Sequence, residues 1–196
     1  MVERLFVTDI KVSGSLAGPI LYDTALTQLD TKIFMPYSEV SRRGFRYEED
    51  GYSVYIYEDG EVRGSGTATS PEQALEIVNH SLKQFIQQIK GPNVRAGPRV
   101  EEVEVGKPVE VDLNILISDD LLRTLQREYG KEVKVKSVEI LISPPKGLAR
   151  LESIAPIRPG ERKAGPVLVL CRAGTHEDAV RALNSLENAL VRRETR

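Results

Sequence analysis

The sequence has no tryptophan, one cysteine, two methionines and two histidines. With Cys171 alone, no internal disulfide framework can form, and the expectation is a reducing, cytoplasmic setting. His80 and His176 have no second Cys, His or carboxylate at ligand spacing, so no metal site is predicted. Walker A, dinucleotide-binding and GxSxG patterns are missing, and no cofactor is expected. No apolar run reaches the roughly 18 residues that span a bilayer. The N-terminal residues lack a secretory apolar core, so no membrane partner is expected. A net charge of −2 argues against nucleic-acid binding through bulk charge and leaves room for a local basic patch. Against these scarcities, Glu, Lys and Arg are plentiful, a composition of thermophilic type. The 196 residues, 40% apolar and 29% charged, suit a soluble globular protein of one medium domain or two small ones.

Residues 53–90 say most. Val54, Tyr55, Ile56 and Tyr57 alternate as a strand and run into Asp59-Gly60, a strong hairpin signal. A return strand follows from Glu61 to Ser65. Ser70 reads as an N-cap, with Pro71 at the first helical position and Gln73 completing a capping box. Ala74, Ile77, Val78, Leu82, Phe85 and Ile89 then recur at helical spacing. The helix can cover one face of the hairpin. Tyr55, Tyr57, Arg63 and Ser65 fall on the other face, because side chains two apart point the same way.

The order of elements suggests a repeat. A strand at 2–12, a helix near 19–29, strands between 43 and 65 and a helix at 71–89 make the first half. A Gly/Pro-rich stretch, 91–98, marks a break. The second half offers a strand at 109–117 and a helix at 119–129. That helix is capped by Ser118, stopped by Gly130, and buries Leu121, Leu122 and Leu125. Strands near 132–142, 148–155 and 166–172 follow. A last helix, capped by Thr175 with Asp178 at the capping-box position, buries Ala179, Val180, Leu183, Leu186 and Leu190.

The first half resembles one repeat of the TATA-box-binding proteins. Glu3 to Asp9 corresponds to the opening strand of that family's repeat. Arg42-Arg43-Gly44-Phe45 stands where the family has Phe-Pro-Gly-Leu. Tyr55 to Gly66 matches the hairpin, and the stretch 69–74 matches the start of the following helix. The second half agrees in element order. The resemblance implies an α+β saddle of two similar halves: a curved antiparallel sheet with its helices on the convex face. It implies a first repeat at 1–91, a linker at 92–98 and a degenerate second repeat at 99–196. In that family the concave sheet face lies in the DNA minor groove and phenylalanines wedge into base steps. The matching positions here are Arg4, Phe6, Thr8, Arg42, Tyr55, Tyr57, Arg63 and Ser65. Arg42 stands at the first wedge, Tyr57 at the second, Arg4 at the base-contacting asparagine and Arg63 at an apolar groove contact.

Phe45, Tyr47, Tyr52, Tyr55 and Tyr57 interleave with Arg42, Arg43, Arg46 and Arg63, as a stacking platform for nucleic acid would. The plainer reading is ordinary cross-strand pairing. Glu48, Glu49, Asp50, Glu58, Asp59 and Glu61 sit beside this set, would repel phosphates and favour a protein partner. Separately, Cys171-Arg172-Ala173-Gly174 resembles a rhodanese loop, but His176 replaces its arginine; the plainer reading is a small buried strand residue. The expectation is a non-enzymatic binding protein linked to transcription or DNA transactions. Its partner is nucleic acid, DNA rather than RNA. A protein-interaction module is the alternative, and a thiol enzyme at Cys171 the second alternative.

Overall fold

A computed structural model describes residues 5–112, 117–129, 135–142, 147–157 and 164–191. The chain divides into two compact units: Val7–Val103, and Met1–Phe6 together with Glu104–Arg196.

The first unit contains β1 (Phe6–Leu16), α1 (Tyr22–Gln28), β2 (Met35–Glu39), β3 (Arg42–Glu49), β4 (Tyr52–Tyr57), β5 (Glu61–Gly66) and α2 (Pro71–Ile89), and ends within β6 (Val94–Asp112). Its strand order is β2-β3-β4-β5-β1-β6. The ladders among β1 to β5 are antiparallel. β3 turns into β4 through Asp50-Gly51, with φ of 50° and 84°. Two consecutive positive φ values define the two-residue turn whose twist suits a hairpin. The Asp59-Gly60 reversal is a residue longer, because residue 57 faces 61 in the β4–β5 register.

Helix α2 begins and ends as its sequence dictates. Ser70 Oγ accepts from Gln73 N at 3.2 Å. Gln73 returns the bond to Thr69 N (2.6 Å), one residue earlier than a standard capping box would. Its apolar stripe buries Ala74, Ile77, Val78, Leu82 and Phe85. From the sheet, Ile10, Val12, Tyr52, Val54, Ile56 and Val62 complete the core. Phe85 meets Phe34 edge-on at 5.3 Å and Phe45 at 5.6 Å. Tyr22 of α1 stacks on Phe45 at 4.9 Å, which puts α1 on the same side of the sheet.

The second unit has strand order β6-β9-β8-β7, with β7 (Val135–Ile142), β8 (Gly147–Ile157) and β9 (Ala164–Ala173) in antiparallel ladders. Its helices are α3 (Asp119–Tyr129) and α4 (His176–Val191). Both expected caps form: Leu121 N donates to Ser118 Oγ, and Asp178 N to Thr175 Oγ1, each at 3.2 Å. α4 buries Ala179, Ala182, Leu183 and Leu190, and it packs on β9 and β8.

Several expectations are corrected here. The stretch 94–98, read as linker, is strand: β6 runs through it and on past Val103, Val105, Val109 and Val111, all buried. Backbone pairing outweighs the local Gly/Pro signal there. β1 runs Phe6–Leu16, four residues past the expected end at 12, while residues 2–4 lie outside the described residues; β2 is an addition to the expected strands. In α3, Leu122 is buried while Leu121 is half exposed, since neighbours on a helix point about 100° apart. Gly130 lies outside the described residues.

Candidate binding face

In the first unit, pairing fixes which side chains share the face away from α2. Arg46 lies opposite Tyr55, Tyr55 opposite Arg63, and Arg63 opposite Ser13. One row along, Tyr37 lies opposite Gly44, and Gly44 opposite Tyr57. A Cβ on Gly44 would come within 2.4 Å of the Ile56 carbonyl oxygen. The bare glycine leaves the Tyr37 and Tyr57 rings to meet across it, with centroids 6.3 Å apart. Tyr37 and Tyr55 approach to 4.8 Å, and Tyr55 and Tyr57 lie nearly parallel at 6.4 Å. A groove of about 530 Å³ runs over these rings, bordered by Ser13, Glu39, Glu61 and Glu101.

The arginines are committed. Arg42 sits 4.0 Å over the Tyr57 ring and pairs with both Asp59 (2.6 Å) and Glu61. Arg63 reaches Glu61 at 2.6 Å and lies 5.8 Å from the Tyr57 ring. Arg46 pairs with Glu48 and lies 5.8 Å from the Tyr55 ring. Lys11 pairs with Glu102 at 2.7 Å. Burial pushes the Asp59 carboxyl up, but the Glu61 backbone N–H and Arg42 outweigh it and hold Asp59 below its ordinary value. Glu61 is likewise raised by burial, and Arg63 and Arg42 bring it net below its ordinary value. Glu39 differs. Tyr37 donates to it at 3.3 Å and Tyr57 also bonds it, yet among the described residues no cation lies within 4 Å of it.

Of the residues singled out in the sequence, Arg42, Tyr55, Tyr57, Arg63 and Ser65 gather on this face. Tyr57, expected to be exposed, retains 3% of its surface, with Arg42 4.0 Å over its ring and Tyr37, Tyr55 and Arg63 around it. Tyr55 stays half-buried and reachable. Thr8 is half-buried on β1, its carbonyl accepting from the Thr67 hydroxyl at 3.4 Å. Phe6 is exposed and belongs to the other unit, where its ring and Leu170 both lie over Gly106. Arg4 lies outside the described residues. Sequence reasoning missed Tyr37 and Glu39, because the β2–β3 reversal at Val40-Ser41 carries no Gly, Pro, Asn or Asp. The alternation of Met35, Tyr37 and Glu39 was the available signal.

In the second unit Cys171 is fully buried on β9, opposite Ala149. Burial, with the charge of Glu104 adding, pushes its thiol up to about 11. Activated thiols shift the other way. No helix among the described residues is long and apolar enough to cross a membrane.

Antiparallel strands with capped helices in this order make a fold like that of the TATA-box-binding proteins. The chain is similar in structure to Methanococcus jannaschii TBP, with a TM-score of 0.52 and 17% identity over 96% of this chain and 98% of that one. This likeness establishes an α+β, TBP-like fold. A rolling circle replication initiator protein from Geobacillus stearothermophilus also aligns, at 10% identity over 95% of this chain and 80% of that one. The TM-score of that alignment is 0.31. No protein-family model matches the sequence. No curated protein matches it either.

Proposed function

We propose that the chain is a non-enzymatic binding protein that holds its partner on the open sheet face of the Val7–Val103 unit and works in transcription or another DNA transaction. The observation that carries this reading is the aromatic row of Tyr37 and Tyr55, which faces away from α1 and α2 and lines a groove. The link to DNA transactions rests on the likeness of the fold to the TATA-box-binding proteins. Nucleic acid fits the face through stacking on Tyr37 and Tyr55, worth about 1–3 kcal/mol per base. The charges favour a protein instead. Nucleic-acid affinity comes largely from cations that displace counterions from phosphates. Here Lys11, Arg42, Arg46 and Arg63 each already hold a carboxylate within 4 Å. A phosphate would have to break those pairs and face the freed carboxylates.

Chemical-shift mapping with labelled protein tests the reading, using short single-stranded and duplex DNA, RNA and charged peptides as probes. Perturbations that cluster on β2 to β5 and weaken with Tyr55→Ala support it. Perturbations confined to the helices would overturn it. Salt-sensitive, Tyr55-dependent binding of an oligonucleotide would assign the face to nucleic acid.

A further inference from the structure

Among the described residues, Glu39 is the groove carboxylate with no cation within 4 Å; Arg42 faces it across the β2–β3 pair but is engaged by Asp59 and Glu61. Glu39 stands on β2, the outermost strand of its unit's order, and is exposed. Its neighbours are the hydroxyls of Tyr37 and Tyr57. The rings of this face already accept guanidinium groups: Arg42 over Tyr57, and Arg46 near Tyr55. Among the described residues, Tyr37 has no such cation over its ring, although it touches both other tyrosines. Glu61, Glu101, Lys11 and Arg63 border the same aromatic-floored groove; Lys11 and Arg63 are engaged by Glu102 and Glu61, which leaves Glu39 as the carboxylate open to an incoming cation. An aromatic face next to a carboxylate held only by tyrosine hydroxyls among the described residues is the chemistry that recognises a cation.

We propose that the groove receives an arginine or lysine side chain from a segment of a partner protein, with Glu39 as its counter-ion and the Tyr37 and Tyr55 rings as its bed. The inference rests on the open-face reading and names the occupant. An arginine suits the site better than a lysine, since its planar group can stack on a ring while it bonds a carboxylate edge-on. A phosphate-bearing partner would face Glu39, Glu61 and Glu101 and find Lys11 and Arg63 already paired with carboxylates.

The experiment uses the full chain and fluorescent peptides of equal length, one alternating Ala-Arg, one Ala-Lys and one Ala-Glu, beside a single-stranded oligonucleotide. The expected order of affinity is Ala-Arg, then Ala-Lys, with Ala-Glu and the oligonucleotide weakest. Glu39→Gln should weaken Ala-Arg binding about fivefold. Glu76→Gln, an exposed control on α2, should leave it unchanged. Both positions are exposed, and a melting curve checks that each variant folds. Equal loss from Glu39→Gln and Glu76→Gln would reduce the effect to general charge and overturn the proposal. Preferential oligonucleotide binding would overturn it too. Peptide shifts that fall on β2 to β5 but ignore Glu39→Gln sink this inference and leave the face intact. Shifts elsewhere sink both.

Discussion

At the scale of single residues, buried hydroxyls and the thiol set the pH behaviour. Tyr57 is pushed from 10.0 up to about 12 by burial, with Glu39 adding. Tyr47 is pushed to about 12 by burial and its bond to Glu49. Tyr52, whose hydroxyl donates to the Ile10 carbonyl at 2.9 Å, is raised by burial and then by Asp9. A raised folded value means the native state holds its proton longer than the unfolded chain. The resulting stability is complete below pH 10.0 and is lost as pH climbs toward 12. Ultraviolet titration of phenolate should show these rings ionising late and together with unfolding. Ionisation of all the tyrosines near pH 10 in the folded state would contradict the burial described. Cys171, raised to about 11, should resist alkylation at neutral pH until the chain unfolds. Rapid native-state modification, measured by thiol-reactive dye, would reopen the enzyme reading.

At the scale of elements, caps and close contacts decide stability. Ser70→Ala removes the bond to Gln73 N and should cost about 1 kcal/mol in a denaturant melt. Phe85→Ala empties the contact between α2, Phe34 and Phe45, and should cost about 3–5 kcal/mol. The helices were the legible part of this chain. Ser70, Ser118 and Thr175 each announce a helix by a local rule, and each cap forms. α2 matches its expected limits because Pro71 opens it and its stripe is unbroken. The strands were less legible, since their partners lie far along the chain. β2 has five residues and an unmarked turn. The strand start at 94–98 hides behind Gly97 and Pro98, and pairing rather than propensity defines it. For the candidate face, alternation placed Tyr55, Tyr57 and Arg63 together. It could not show that Arg42 would cover Tyr57, because rotamer and ion-pair choices are settled only in three dimensions.

At the scale of the molecule, each unit has its own core, so residues 5–103 should retain a cooperative thermal transition when expressed alone. A flat melting curve for that fragment would mean that the core around Phe85 needs the rest of the chain. On the intact protein, Tyr55→Ala should weaken partner binding while leaving the melting temperature nearly unchanged, because Tyr55 faces away from the core. The shared role of Glu61 has an evolutionary side. One carboxylate restrains two guanidiniums, Arg42 and Arg63. A single Glu61→Gln change would free Arg63, leave Arg42 held by Asp59 alone, and remove an anion from the rim. A face that refuses polyanions therefore lies one amide away from a face that seeks them, and heparin retention of that variant would measure the distance. A lineage carrying this sheet could move between partners of opposite charge without rebuilding its core.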